Sequence, residues 1–309
     1  MINRRELLKA MGATTALPFL PAFAKAIAPY KPAHSFSYCL NMATIRGHKL
    51  GFIKELEVAA AAGFSGVEIW MDTLQTYLDK GGTLKDAKKR VDDLGIVVEN
   101  CIGFAPWIID DEAKRNKGLE QMKREMEMLA QIGCKRTAAP PAGATDSPLL
   151  SLNLVAERYR KALELGDTMG VVPHLELWGF SKNLCHVSEV MYVALQSGHP
   201  SAKVLLDIFH LYKGGSSMDT LPLVSSSAIE ILHLNDYPAN LPASAITDAD
   251  RIYPGDGVAP IHRVLHLLKN PERPLIVSFE VFNKEYYKQA ALQVATTALA
   301  KMKHVTAGI

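Results

Sequence analysis

The chain has 309 residues but only four cysteines, Cys39, Cys101, Cys134 and Cys185, and they are widely spaced. They form no CxxC pair, which excludes a small disulfide scaffold. Each lies in or beside an apolar segment and reads as a buried free thiol. Charge of one sign is also missing: 34 basic residues stand against 32 acidic ones, and no arginine-rich run or basic face leaves the footprint of a nucleic-acid partner. No apolar run is long enough for a membrane-spanning helix of about 20 residues. No glycine-rich phosphate loop follows the first strand-like run, which argues against a doubly wound dinucleotide-binding sheet. No proline- or serine-rich linker divides the chain, so one domain is expected.

The N-terminus has a composition of its own. Asn3-Arg-Arg-Glu-Leu-Leu-Lys9 is a twin-arginine pattern, an apolar stretch from Ala10 to Phe23 follows, and Ala22-Phe-Ala24 fits a small-x-small cleavage site. Pro18, Pro21 and Pro29 oppose a long helix there. Residues 1–28 are therefore expected to be a Tat-type export signal and residues 29–309 the catalytic domain. The expected location is periplasmic, with no membrane attachment once the signal is removed.

From residue 36 onward, short apolar runs alternate with amphipathic segments. The runs are Phe36–Leu40, Gly66–Trp70, Ile96–Cys101, Lys135–Ala139, Val171–Leu177, Lys203–Asp207, Ile229–Leu234 and Pro274–Glu280. Helical patterns lie between them, several closed by a glycine that suits a C-terminal cap: Gly63, Gly95, Gly133 and Gly170. A long alanine-rich helix is expected from Glu285 to about His304. Eight strands alternating with eight helical stretches predict an α/β fold, a (β/α)8 TIM barrel.

The last four runs each end on a side chain able to ligate metal: Glu176, Asp207, His233 and Glu280. In a parallel barrel the C-terminal strand tips converge on one mouth. Taken singly, each is an ordinary cap or loop residue; the joint arrangement is the signal. An O3N donor set with open positions suits one divalent metal ion (Mn, Co, Zn or Mg), and carboxylates gathered at one point repel each other without a cation. His210 follows Asp207 by a short turn and can orient a substrate oxygen. Asp236 stands just beyond His233. Arg251, in Asp250-Arg-Ile-Tyr-Pro-Gly-Asp-Gly257, can hold a substrate hydroxyl or carboxylate. Glu68 ends the second run, and His174 shares a face with Glu176 because strand side chains alternate. Trp70, Trp107 and Trp178 follow strands and suit pocket walls.

Leu206-Asp-Ile-Phe-His210, His233-Leu-Asn-Asp236, Asp248-Ala-Asp-Arg-Ile-Tyr-Pro-Gly-Asp-Gly257 and Val277-Ser-Phe-Glu280 resemble the xylose isomerase-like sugar isomerase/epimerase barrels, and among them the 2-keto-myo-inositol (inosose) isomerase type. The resemblance implies Glu176, Asp207, His233 and Glu280 as metal ligands, and His210 and Arg251 at substrate; Glu68 and Asp236 join them as substrate-binding candidates. The implied reaction is a metal-dependent isomerisation or epimerisation of a keto-sugar or inosose through an enediolate, with Glu176 and Glu280 as proton carriers. A lyase or hydratase on a periplasmic keto-sugar, or a non-catalytic sugar-binding barrel, are the alternatives. The expected partner is a small molecule, and an oligomer is compatible with the sequence.

Overall fold

The computed structural model describes residues 35–309; the predicted export signal lies outside the described residues. Eight parallel strands make the sheet: β1 Phe36–Asn41, β2 Gly66–Trp70, β3 Val97–Ile102, β4 Arg136–Ala139, β5 Val172–Glu176, β6 Lys203–Asp207, β7 Ile231–His233 and β8 Leu275–Phe279. Their order, β3-β2-β1-β8-β7-β6-β5-β4, runs once around a ring. Among the described residues no ladder joins β3 to β4. That seam is bridged by side chains: Thr137 Oγ1 donates to Cys101 O at 3.2 Å and Arg136 Nη1 to Glu99 O at 3.3 Å.

The connecting α-helices are α1 Phe52–Ala62, α2 Met71–Asp79, α3 Leu84–Asp93, α4 Glu112–Gln131, α5 Leu152–Met169, α6 Val187–Gln196, α7 Ile208–Lys213, α8 Ile261–Leu268 and α9 Ala291–Thr306. The predicted glycine caps take left-handed backbone, as at Gly63 (φ 93°) and Gly170 (φ 70°), where a Cβ would be strained. The last helix begins six residues later than expected, because Tyr286–Lys288 turns as a 3-10 segment first. No helix among the described residues is long and apolar enough to cross a membrane.

Alternation along each strand builds two cores. Outward residues such as Leu40, Val204, Leu206, Leu232 and Phe279 pack under the helices and are fully buried, each contributing about 1.5–3 kcal/mol by leaving water. Inward residues Cys39, Ile102, Ala138, Leu205, Ile231 and Ile276 fill the barrel interior. The same period of two carries the next inward positions to the mouth: Leu205 leads to Asp207, Ile231 to His233, and Ile276 through Ser278 to Glu280.

Candidate active site

Glu176, Asp207 and His233 close β5, β6 and β7, and Glu280 lies one residue past β8. All four side chains are buried. Asp207, His233 and Glu280 offer donor atoms that lie within 4.8 Å of one another, a set able to hold a metal ion. His233 Nδ1 is 3.1 Å from Glu280 Oε2 and 3.4 Å from Asp207 Oδ2. Yet it makes no hydrogen bond. Glu176 stands outside this trio, and its Oε2 is also without a partner.

Glu68 anchors the imidazole from below. His233 Nε2 lies 3.0 Å from Glu68 Oε2 and 3.2 Å from Oε1. Asn41 Nδ2 (3.1 Å) and Asn100 Nδ2 (2.8 Å) donate to the same carboxylate, as does Ser278 Oγ. A slip in register beside Glu68 pairs it with Asn100 across β2 and β3. Burial works to raise the Glu68 carboxyl; the His233 charge and these hydrogen bonds overcome it and bring it down to about 2. Burial opposes protonation of His233, but Glu68, Glu280 and Asp207 raise its pKa well above the ordinary imidazole value. A carboxylate holding one ring nitrogen while the other faces oxygen donors is the usual support of a metal-ligating histidine. The donor set and the orphaned Nδ1 thus fit a divalent cation.

Asn235 holds Asp207 in place, its Nδ2 donating to Oδ1 (3.1 Å) and Oδ2 (3.2 Å) and also to Glu280 O (3.2 Å). Arg251, fully enclosed, places Nη1 2.9 Å from both Asp207 Oδ2 and Glu280 Oε2. Its guanidinium lies over the Phe209 ring at 4.3 Å, and Nη2 binds Asp248 and lies 3.1 Å from His210 Nε2. Burial, then the Arg251 charge, push His210 down to about 3. It is therefore a neutral imidazole that accepts from Arg251 at Nε2 and carries its proton on Nδ1, which has no protein partner. Burial is the main force that lifts Glu176 to about 8, with the Glu280 and Glu68 charges adding to it and His233 opposing.

Above these groups opens a cavity of about 180 Å³. Its polar side is Glu176, Glu280, His210, Arg251 and Asp248, and its other wall is aromatic. Phe180, Trp178, Phe104, Trp70 and Phe282 follow one another around the mouth with ring centroids 5.2–6.0 Å apart. Trp70 and Trp178 meet the expectation of pocket walls. Trp107 does not: it is fully buried, and its Nε1 donates to Pro140 O at 2.8 Å.

A profile of the family described as "Xylose isomerase-like TIM barrel" matches residues 56–303. The chain belongs to that family. Within it, the chain is 28% identical over 267 residues to a protein of Halalkalibacterium halodurans named inosose isomerase, covering 84% of this chain and 93% of the relative. It is 24% identical over 269 residues to a Pseudomonas putida 3-dehydroshikimate dehydratase, covering 82% of this chain and 39% of that protein. A solved structure of the IolI protein with a bound zinc atom superposes with a TM-score of 0.79 at 26% identity, covering 88% of this chain and 98% of that one.

Two candidates sit differently from the sequence expectation of substrate contact. Asp236 is corrected: its oxygens accept from the backbone N–H groups of Tyr237 (2.8 Å), Gly255, Gly257 and Ala259 (each 2.9 Å), so it folds the turn that follows Arg251 and does not line the cavity. Gly257 is needed for that approach, since a Cβ there would fall 2.2 Å from Tyr237 O. Glu68 likewise lies beneath His233 and off the cavity lining. His174 points inside the barrel with both ring nitrogens unpartnered and its pKa lowered to about 3, chiefly by burial. Asn41, Asn100, Phe104, Phe180 and Phe282 received no role from the sequence. Asn41 occupies the inward tip position of β1, as the acidic residues do on later strands, and Asn100 lies one inward step below the tip of β3; that alternation is the signal by which they are found.

Proposed function

We propose that this chain is a divalent-metal-dependent isomerase or epimerase of an unphosphorylated keto-sugar or inosose. One observation carries the reading: His233, anchored on Glu68, turns an unpartnered Nδ1 toward Asp207 and Glu280 beside a buried, unpaired Glu176. Likeness to inosose isomerase over 84% of the chain supports it. Asp207, His233 and Glu280 would hold the ion, with Glu176 as the fourth ligand expected from the sequence. A bound divalent ion supplies Lewis-acid stabilisation of negative charge on the substrate oxygens.

The side chains account for the rest. Glu176, buried and free at Oε2, suits removal of the proton on the carbon next to the carbonyl once its own carboxyl is ionised. Glu280 comes from a strand three places away in the ring and faces the same cavity, so it suits return of the proton from another side. Charge that develops on the enediolate oxygens meets the Arg251 guanidinium and the Nδ1–H of His210. The aromatic wall takes the C–H face of the ring and sheds water from it. Incubation with keto-sugars and inososes in deuterated water, with Mn, Co, Zn or Mg, tests the proposal. Deuterium should enter one carbon of substrate or product; no exchange with any candidate and metal removes the reading in favour of a sugar-binding barrel.

The P. putida dehydratase match supports a second reading, in which the same enediolate expels a neighbouring hydroxyl. A product one water lighter by NMR and mass distinguishes it. The twin-arginine pattern at Asn3–Lys9 supports export to the periplasm. Replacing Arg4 and Arg5 together by lysine should then retain the chain in the cytoplasm, and unchanged fractionation counts against export.

A further inference from the structure

The segment after β5 carries two aromatic walls of the cavity, Trp178 and Phe180, and returns to α6 through Leu184, Cys185 and His186. It closes on itself where Trp178 N donates to Leu184 O at 3.1 Å. Just past that closure three donors of different chemistry meet. Cys185 Sγ lies 3.1 Å from His186 Nδ1, and His186 Nδ1 lies 3.7 Å from Glu189 Oε2 in the first turn of α6. Their ligand atoms all fall within 4.8 Å of one another. Glu189 is held there by the backbone, accepting from Cys185 N at 2.8 Å and His186 N at 3.1 Å.

Zinc-type bonds of about 2.0–2.3 Å at a tetrahedral angle require donor–donor edges of roughly 3.3–3.6 Å. The two measured edges bracket that range. We propose that Cys185, His186 and Glu189 form a second divalent-cation site, of the soft, zinc-like kind, at the base of the aromatic segment. A thiolate and a carboxylate together neutralise such a cation, the imidazole supplies a third donor, and the partly exposed position leaves the fourth to water. Burial and the Glu189 charge push the Cys185 thiol up to about 11, which disfavours a free nucleophilic thiolate. Binding therefore breaks the S–H bond, and its proton leaves to solvent as the sulfur pair moves to the metal. The ion would pin the return of the segment to α6 and so stiffen one wall of the cavity.

The other three cysteines are fully buried, and the central cluster of Asp207, His233 and Glu280 contains no sulfur. A thiolate-to-cobalt charge-transfer band thus reports this site alone. Full-length protein stripped with a chelator should develop the band on titration with Co²⁺, reaching the intensity of one thiolate-bound ion per chain. Cys185→Ser should abolish it, His186→Gln should weaken Co²⁺ binding at this site at least tenfold while leaving the thiol in place, and Asp207→Asn should leave the band unchanged. Zinc content should fall by one equivalent in Cys185→Ser relative to the unaltered chain. Absence of the band in the unaltered protein, or its persistence in Cys185→Ser, overturns the proposal, whatever the central cluster does.

Discussion

Two halves of the ring treat the same position differently. Strands β5 to β8 bring Glu176, Asp207, His233 and Glu280 to the mouth, whereas the last inward residues of β1 to β4 are an amide, an aromatic and two apolar side chains: Asn41, Trp70, Ile102 and Ala138. Glu68, on β2, is the charged exception among the first four strands, and it reaches under the mouth to His233. One half concentrates groups whose charge is costly to bury; from the other, Asn41 and Asn100 hold Glu68 under His233, and Trp70 and Phe104 complete the aromatic wall. Division of labour between adjacent strands helps a cluster this dense to fold: Asn235 and Arg251, both after β7, hold the carboxylates of Asp207 on β6 and Glu280 after β8.

The largest test of that division is Glu176→Gln. It keeps the shape and removes the proton acceptor, so turnover should drop about a thousandfold with the circular dichroism spectrum unchanged. Retention of more than a tenth of the activity would place proton transfer elsewhere. Glu68→Gln probes the supporting half. It keeps one oxygen for His233 but loses the charge, and divalent-metal affinity by calorimetry should weaken roughly 10–100-fold. Unaltered affinity would separate the two halves.

The pH dependence of metal uptake sharpens the comparison further. With its pKa raised above the ordinary value by Glu68, Glu280 and Asp207 against the effect of burial, His233 is protonated near neutrality when metal-free. The ion must displace that proton, so affinity should rise up to about tenfold per pH unit until the imidazole deprotonates, with one proton released per ion. Uptake independent of pH would show that His233 is not a ligand. For the metal-free fold the sign is opposite: stability from this raised pKa is full below about 6.5 and is lost as pH rises through the folded value.

The smallest expected effect lies in the supporting half and away from the mouth. Glu55 on α1 is buried, and burial raises its carboxyl to about 7. Its contribution to stability is full below the unfolded value of about 4.3 and is lost as pH rises through 7. Glu55→Gln should therefore stabilise the protein by about 1–3 kcal/mol at pH 8 and by little at pH 4, without changing turnover. Equal urea midpoints for the two proteins at pH 8 would refute it.

The fold was legible because every strand announces itself by an apolar run, and β2 to β5 also by the glycine cap of the helix before them. Gly63 and Gly170 mark helix ends through backbone geometry that other residues resist. Convergence of Asp207, His233 and Glu280 followed from alternation alone, since each lies two residues, or four, beyond an interior apolar residue. Asp236 shows where that logic stops. It stands three residues past His233, but its partners are the amides of Gly255, Gly257 and Ala259, and nothing local in sequence reveals a turn folding back across that distance. Phe104 and Phe180 were invisible for a related reason: the direction of a loop is set by what it packs on, and Phe104 meets Trp70 and Trp178 while Phe180 meets His210, all from other strands.

The seam between β3 and β4 has a mechanical consequence. Seven joints of the ring are stitched by backbone ladders, and the eighth is a clasp made by Arg136 and Thr137. A hoop with one clasp gives way there first, fraying inward from two free edges. Amide protons of Val97–Ile102 and Arg136–Ala139 should exchange with solvent before those of β6 to β8, so the trio of Asp207, His233 and Glu280 sits on the arc farthest from where the hoop parts.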